Sequence, residues 1–329
     1  MVYNYGSAHS ENSLLTRLVR KLLVYLTFRL VHLVELGTRL GTQLDLYTRR
    51  ISCCSDLGQY ETCEEHLAPP RAIPLRDSIS FSFINFEPDE RNLILQGYAE
   101  ISPIDKEIKL TRTNATGYPQ PFSVGRVLHS SEVRLWERGT NRLASFETQF
   151  SFYLTSPIES PADGIAFFVA PSNTTIPPNY VGGTLGLFPF TPSIVPSPVV
   201  AVEFDTFFDP ESNPWDPNFS HIGLDFDSIR SSYVIEWPRR EGELVNVLIS
   251  YNPTSKTLTA TATYPDGQQS RVSGIFDLRN VLPEWVRVGF SAASGLGIQT
   301  HNLVSWSFTS TLLNTAENEN ELIKLARGA

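Results

Sequence analysis

The chain has 329 residues, 41% apolar and 19% charged, with a formal net charge of −9. That length allows one large domain or two ordinary ones, and the composition is that of a soluble globular protein. The acidic balance argues against nonspecific nucleic-acid binding by the whole chain.

Residues 1–76 differ from the rest. They are net basic, whereas the remainder is strongly acidic, and they hold the cysteines Cys53, Cys54 and Cys63. From Asp77 onward there is no cysteine, so the main domain is not stapled by disulfides and has no thiol chemistry. Residues 14–44, "LLTRLVRKLLVYLTFRLVHLVELGTRLGTQL", are Leu-rich, but Arg29 and Glu35 interrupt them. No uncharged run approaches the ~20 apolar residues that a membrane span needs. Basic residues from Arg17 to Lys21 precede an apolar stretch, Leu22 to Phe28, as in a secretory signal, without a small-x-small cleavage site. The segment reads as an atypical N-terminal leader or as a wrongly predicted first exon, and it is set apart from the fold.

From Ile79 the apolar pattern has a period of two. The spacing predicts strands over 79–86, 92–96, 107–111 and 124–128. In "FETQFSFYL", Phe146, Thr148, Phe150, Phe152 and Leu154 share one face. Further strands are expected over 164–170, 199–204 and 222–226. Val245, Val247, Ile249 and Tyr251 then alternate with polar residues, as do Leu258, Ala260, Ala262 and Tyr264. Strands over 271–277, 286–292 and 303–309 complete the series. Turn signals such as "FEPDERN" and "YPDGQQ" separate them, and no amphipathic helix of ordinary length falls between Asp77 and Ser310. Many strands without crossover helices predict an all-β fold in one domain over 77–313, its antiparallel sheets stacked as a β-sandwich or jelly roll. The polar tail, 314–329, is expected to be disordered or processed.

One connection is unlike an ordinary short, polar loop. Residues 202–223, "VEFDTFFDPESNPWDPNFSHIG", hold five acids, four Phe, a Trp and a His. Glu203 and Asp205 lie two apart on a strand, so their carboxylates share a face. With Asp216 and His221 they suit a borderline transition metal such as Mn²⁺. Asp205, Asp216, Asn213 and a backbone carbonyl supply the oxygen set that Ca²⁺ prefers. A solvated acidic loop is the plain alternative, but loop aromatics must pack or stack on something.

"VEFDTFFDPESNPWDPNFSHIGLD" resembles the metal-binding signature of the legume lectins. "ADGIAFFVAP", "GGTLGLF", "EWVRVGFSAASG" and "SWSFTSTL" resemble that family's other segments, in the same order. The appearance is closest to the mannose/glucose-binding lectins of the dalbergioid lineage. The resemblance implies the concanavalin-like jelly roll. It implies Mn²⁺ on Glu203, Asp205, Asp216 and His221, and Ca²⁺ on Asp205, the Phe207 carbonyl, Asn213 and Asp216. Ser231 matches a hydroxyl that steadies a metal-bound water.

The same resemblance places sugar on Asp163, following a cis peptide from Ala162. An ionised carboxylate accepts strong charge-assisted hydrogen bonds from two adjacent hydroxyls. Gly183 would offer a backbone N–H, Asn213 its carboxamide and Phe207 its ring. In the last loop, "SGLGIQTH", Leu296 and Gly297 would contribute backbone amides only. Trp215 is expected to pack the loop, and Asp209 and Glu211 are given no ligand role. Sequons at Asn114, Asn173 and Asn218 mark candidate N-glycosylation sites in a secretory route to the cell exterior or the vacuole. Family members commonly dimerise, so a homodimer or higher homo-oligomer is expected, with glycans and glycoproteins as partners.

The reading is a non-catalytic, Ca²⁺/Mn²⁺-dependent lectin for mannose/glucose-type glycans. A storage or defence relative with impaired binding is the alternative. A glycoside hydrolase of related fold is remoter. "EFDTFF" begins an E-x-D-x-x-E acid pair, but Phe208 stands where the second catalytic Glu would be.

Overall fold

Alternation in the sequence becomes alternation in burial. Val245, Val247, Ile249 and Tyr251 are buried, and the residues between them are exposed or half-buried. Leu258, Ala260 and Ala262 repeat this in the next strand. The computed structural model describes residues 78–312 except Asn141, Ser160, Val181, 191–197, Pro210 and Ser212. The leader expected over 1–76 and the tail over 314–329 lie outside the described residues.

The strands are β1 (Ser78–Phe83), β2 (Leu93–Gly97), β3 (Glu100–Ile101), β4 (Ile108–Lys109), β5 (Ser123–His129), β6 (Val133–Arg134), β7 (Ala144–Thr155) and β8 (Gly164–Pro171). They continue as β9 (Val200–Asp205), β10 (His221–Phe226), β11 (Tyr233–Glu236), β12 (Val245–Asn252), β13 (Thr257–Thr263), β14 (Gln269–Ile275), β15 (Trp285–Ser294) and β16 (Thr300–Leu312). Helix among the described residues is limited to two 3-10 turns, Gly182–Thr184 and Leu278–Asn280.

Two antiparallel sheets result. The back sheet runs β14-β13-β12-β7-β16-β4-β3, with β1 also paired to β16. The front sheet runs β11-β10-β9-β8-β15-β5-β2, with β6 on β15. Phe150 and Phe152 of the back sheet meet Phe290 and Phe204 of the front sheet, with ring centroids 4.7 and 5.1 Å apart in edge-on geometry. Trp306 and Trp237 extend this aromatic layer, 5.1 Å from Phe290 and 5.5 Å from Phe204. Each such ring removed from water contributes about 1.5–3 kcal/mol.

The front sheet also has a covered outer face. Leu185, Leu187, Phe188 and Val199 pack there on Phe168, Ala166, Ala170 and Ala201. Arg126 of β5 lies in this layer, only 1% exposed. Its guanidinium sits 4.3 Å from the Phe168 ring centroid and donates to the Thr174 hydroxyl at 2.9 Å. Burial pushes its pKa down to about 9. It ties the sheet to the loop after β8.

The strand expected over 107–111 is shorter, Ile108–Lys109, because the next residue, Leu110, bonds to His301 outside the ladder. Three strands were not marked by alternation, β3, β6 and β11. The first two are two residues long, and β11 is an edge strand with no residue classed as buried.

Candidate metal and sugar site

The site begins with strand register. β9 and β10 pair antiparallel, with His221 opposite Asp205 and Gly223 opposite Glu203. Period-two geometry puts Glu203 and Asp205 on one face of β9, and His221 and Asp225 on the matching face of β10. Glu203, Asp205 and His221 offer ligand atoms within 4.8 Å of one another, all buried. His221 Nε2 lies 3.0 Å from Glu203 Oε1.

The cluster has too little positive charge for its acids. Burial drives the Asp205 carboxyl well above its ordinary range, and the charges of Asp216, Glu203 and Asp163 add to this. Asp216 is pushed up to about 7, first by burial and then by Glu203. His221 is raised overall: burial pushes it down, but the hydrogen bond and charge of Glu203 outweigh that. One oxygen on each of Asp163, Glu203, Asp205, Asp216 and Asp225 is buried without a protein hydrogen-bond partner. Buried carboxylates cost several kcal/mol each unless a cation or donors compensate them, so a cluster of orphaned oxygens fits a metal site.

Ser231 touches the acids directly. Its hydroxyl lies 2.5 Å from Glu203 Oε1 and 2.7 Å from Asp225 Oδ1, bridging the two acids. Asp225 is fully buried, and burial followed by the Glu203 charge raises its pKa strongly. It was missed as a member of the site. The alternation His221, Gly223, Asp225 on β10 was the available signal.

Asp163 precedes β8, and the Ala162–Asp163 peptide is cis, as the resemblance implied. It pairs into the front sheet on both sides, donating to Ala293 O and accepting from Thr206 N, each at 2.9 Å. Its carboxyl is only 4% exposed as a residue, and burial raises its pKa to about 7, opposed by the Gly295 backbone and helped by Asp216. The 3-10 turn Gly182–Thr184 closes over it. A Cβ on Gly182 would fall 1.9 Å from Asp163 Oδ2, and one on Gly183 would fall 2.2 Å from Asn213 Nδ2. Only glycine allows this approach. Asn213 is buried, and its Nδ2 has no protein partner.

Asp163, Gly183, Asn213, Asp216, Asp205, Glu203 and His221 are thus gathered at one end of the front sheet. Phe207 joins them through its N–H, which donates to Asp205 Oδ1 at 2.7 Å, and its side chain is half-buried. Trp215 packs edge-on with Phe190 at 6.4 Å. Asp209 accepts from Glu211 N and Asn213 N, which shapes the turn before Asn213. In the last loop the residue placed against Asp163 is Gly295; Leu296 is 86% exposed and Gly297 half-buried. Asn114, Asn173 and Asn218 are all exposed. Among the described residues no helix is long and apolar enough to cross a membrane.

A polar chain behind the site was also not foreseen. The Thr206 hydroxyl donates to Asp163 O at 2.8 Å and lies 3.2 Å from the Gln299 carboxamide. Gln299 Nε2 is 2.9 Å from His301 Nε2, and His301 Nδ1 is 2.8 Å from the Thr111 hydroxyl. All four side chains are buried. A fully bonded buried network fixes one arrangement of the backbone it touches.

The family model described as "Legume lectin domain" matches residues 78–324. The mannose/glucose-specific lectin of Centrolobium tomentosum is 59% identical over 247 residues, 74% of this chain and 100% of that one. The alpha-methyl-mannoside-specific lectin of Arachis hypogaea is 55% identical over 255 residues, 76% of this chain and 89% of that one. Among solved structures, lectin II from Ulex europaeus superposes with a TM-score of 0.67 at 40% identity, over 71% of this chain and 99% of that one. These relatives are carbohydrate-binding proteins and not enzymes, and the chain belongs to the legume lectin family.

Proposed function

We propose that the chain binds mannose/glucose-type glycans and that this binding depends on Ca²⁺ and Mn²⁺. The observation that carries the reading is the set of buried acids with unpartnered oxygens beside Asp163. Glu203, Asp205, Asp216 and His221 would hold Mn²⁺, a donor set of carboxylates and one imidazole. Asp205, Asn213, Asp216 and the Phe207 carbonyl would hold Ca²⁺, a hard cation that takes oxygen ligands. The cations supply the positive charge that lets these acids stay ionised in a buried place.

Sugar recognition then falls to the chain's own groups. The Asp163 carboxylate accepts from two neighbouring hydroxyls, and the unpartnered Asn213 Nδ2 donates to another. The Gly183 N–H reaches the ring because no side chain intervenes, and the Phe207 ring covers an apolar sugar face. Ser231 bridges Glu203 and Asp225, which would fix the Glu203 carboxylate for a bound cation. The mannose/glucose specificity of the Centrolobium tomentosum lectin and the alpha-methyl-mannoside specificity of the Arachis hypogaea lectin support the choice of mannose-type glycans. Passage through the secretory pathway to the exterior or vacuole, with glycans on Asn114, Asn173 or Asn218, fits their exposure. Dimerisation would multiply weak sites by avidity.

Calorimetry with methyl α-mannoside, before and after chelation, tests the reading. Binding to protein loaded with both metals, lost on chelation and restored by Ca²⁺ with Mn²⁺, is the expected result. A flat titration of the metal-loaded protein would overturn the specificity.

A further inference from the structure

The Asp163 carboxylate has few protein anchors of its own. It accepts from the Gly295 backbone, and its Oδ2 has no protein partner. Its direction is therefore set by the backbone that carries it. Asp163 N donates to Ala293 O at 2.9 Å, and Asp163 O accepts from Thr206 N at 2.9 Å and from the Thr206 hydroxyl at 2.8 Å. The first two are main-chain bonds and do not depend on side-chain identity. The third depends on the rotamer of one threonine. A Thr side chain has more than one staggered rotamer, so a second contact is needed to keep this bond.

Gln299 supplies that contact. Its carboxamide oxygen faces the Thr206 hydroxyl at 3.2 Å. Its Nε2 can only donate, so His301 Nε2, 2.9 Å away, is the acceptor. The ring is neutral, because burial lowers its pKa to about 3. Its one proton is then on Nδ1, which donates to the Thr111 hydroxyl at 2.8 Å. The Thr111 hydroxyl faces back to Gln299 O at 3.5 Å, which closes a ring of partners around Gln299. Thr111 is itself fixed, with Leu110 N donating to His301 O at 3.0 Å and Arg112 N to the Ser123 hydroxyl at 2.7 Å. Gln299, His301, Thr111 and Thr206 are at most 3% exposed. A buried carboxamide bound at both ends is held in one orientation, since a lost partner would leave a desolvated polar group unpaired.

We propose that Gln299 is a positioning residue for the sugar carboxylate. Locked by His301 and Thr111, it keeps the Thr206 hydroxyl on Asp163 O and so aims the Asp163 carboxylate, without touching sugar or metal. This rests on the sugar reading above and deepens it by naming what regulates affinity at that site. Hydrogen bonds weaken steeply as their angles open. A small turn of the Asp163 backbone therefore weakens both bonds that the carboxylate offers to a pair of sugar hydroxyls.

The test is calorimetry with methyl α-mannoside on the metal-loaded full chain. Metal content is followed by mass spectrometry, because Thr206 lies between Asp205 and Phe207. Thr206→Val removes the hydroxyl at nearly constant shape, Thr206→Ser keeps it, and Gln299→Met removes the carboxamide at similar length. Thr206→Val and Gln299→Met should each bind the sugar roughly three- to tenfold more weakly, as for one hydrogen bond, with both metals retained. Thr206→Ser should bind like the wild type. Adding Gln299→Met to Thr206→Val should cost no more than Thr206→Val alone, because both break one chain. Wild-type affinity in either single variant would overturn the assignment and leave the sugar site standing. So would losses that add in the double variant, losses that follow lost metal, or a Thr206→Ser protein as weak as Thr206→Val. Should Gln299→Met fail to fold, Thr111→Val frees the far end of the same chain and has to show the same loss, or the assignment falls. A wild type that binds no mannoside would overturn the sugar reading and the assignment together.

Discussion

The two sheets share one core but treat their outer faces differently. In the back sheet, β12 and β14 alternate buried and exposed residues, with Leu248 and Ile275 left 40% and 68% exposed. In the front sheet, every residue of β5, β9 and β10 is buried. The reason is the second apolar layer of Leu185, Leu187, Phe188 and Val199, which covers the front sheet's outer face. A sheet buried on both sides gives a low-dielectric setting in which charged groups interact strongly. That is where Glu203, Asp205, His221 and Asp225 stand, and the back sheet has no counterpart to them among the described residues. The difference teaches that the candidate site needs a dry front sheet, whereas the back sheet serves as its support.

Substitutions should reproduce this contrast. Asp205→Ala is expected to have the largest functional effect, because Asp205 belongs to both proposed metal sets. Metal content by mass spectrometry and sugar binding by calorimetry should both fall to background. Asp205→Ala protein that retained chelator-sensitive binding would contradict the shared-ligand assignment. Phe150→Ala, in the layer common to both sheets, should destabilise by about 3–5 kcal/mol in guanidinium unfolding. Leu187→Ala strikes only the covering layer of the front sheet. It should cost about 2–4 kcal/mol and also weaken sugar binding, because Leu187 follows the turn that lies against Asp163.

His301 links the two regions, since it belongs to β16 of the back sheet while its bonds lead to Thr206 and Asp163. Burial lowers its pKa to about 3 from an ordinary value near 6.5. The unfolded chain therefore binds a proton that the folded chain refuses between these values. Its contribution is present in full above pH 6.5 and is lost as pH falls toward 3. The slope from one proton is at most about 1.4 kcal/mol per pH unit. His301→Gln should flatten the stability profile in that window relative to the wild type, measured by urea midpoints. The smallest effect is expected at Leu248→Thr on the open back face, within about 0.5 kcal/mol. A large loss there would mean that this face is covered after all.

Legibility in the sequence follows the same division. Back-sheet strands alternate because one face meets water, so Val245 to Tyr251 and Leu258 to Tyr264 could be placed from pattern alone. The front-sheet runs "AVEFD" and "HIGLDF" are buried on both faces, so no alternation marks their neighbours, and their pairing comes from the structure. Motif spacing and family resemblance marked Glu203, Asp205, Asn213, Asp216, His221, Asp163 and Gly183, and the fold brings all of them together. Asp225, Gln299 and His301 were passed over, because each looks like an ordinary polar residue of a strand or strand end until its partners arrive from distant segments.

The sequence by itself determined the all-β class, the strand periodicity and the crowding of acids and a His around the loop after β9, since these depend on near neighbours. Tertiary structure decided the rest. It set Gly295 and the Gly182–Gly183 turn against Asp163, and bridged Glu203 to Asp225 through Ser231. Those contacts join residues tens to more than a hundred positions apart. Strand register and the covering layer bring them within hydrogen-bond reach, and neither is a property of any local stretch of chain.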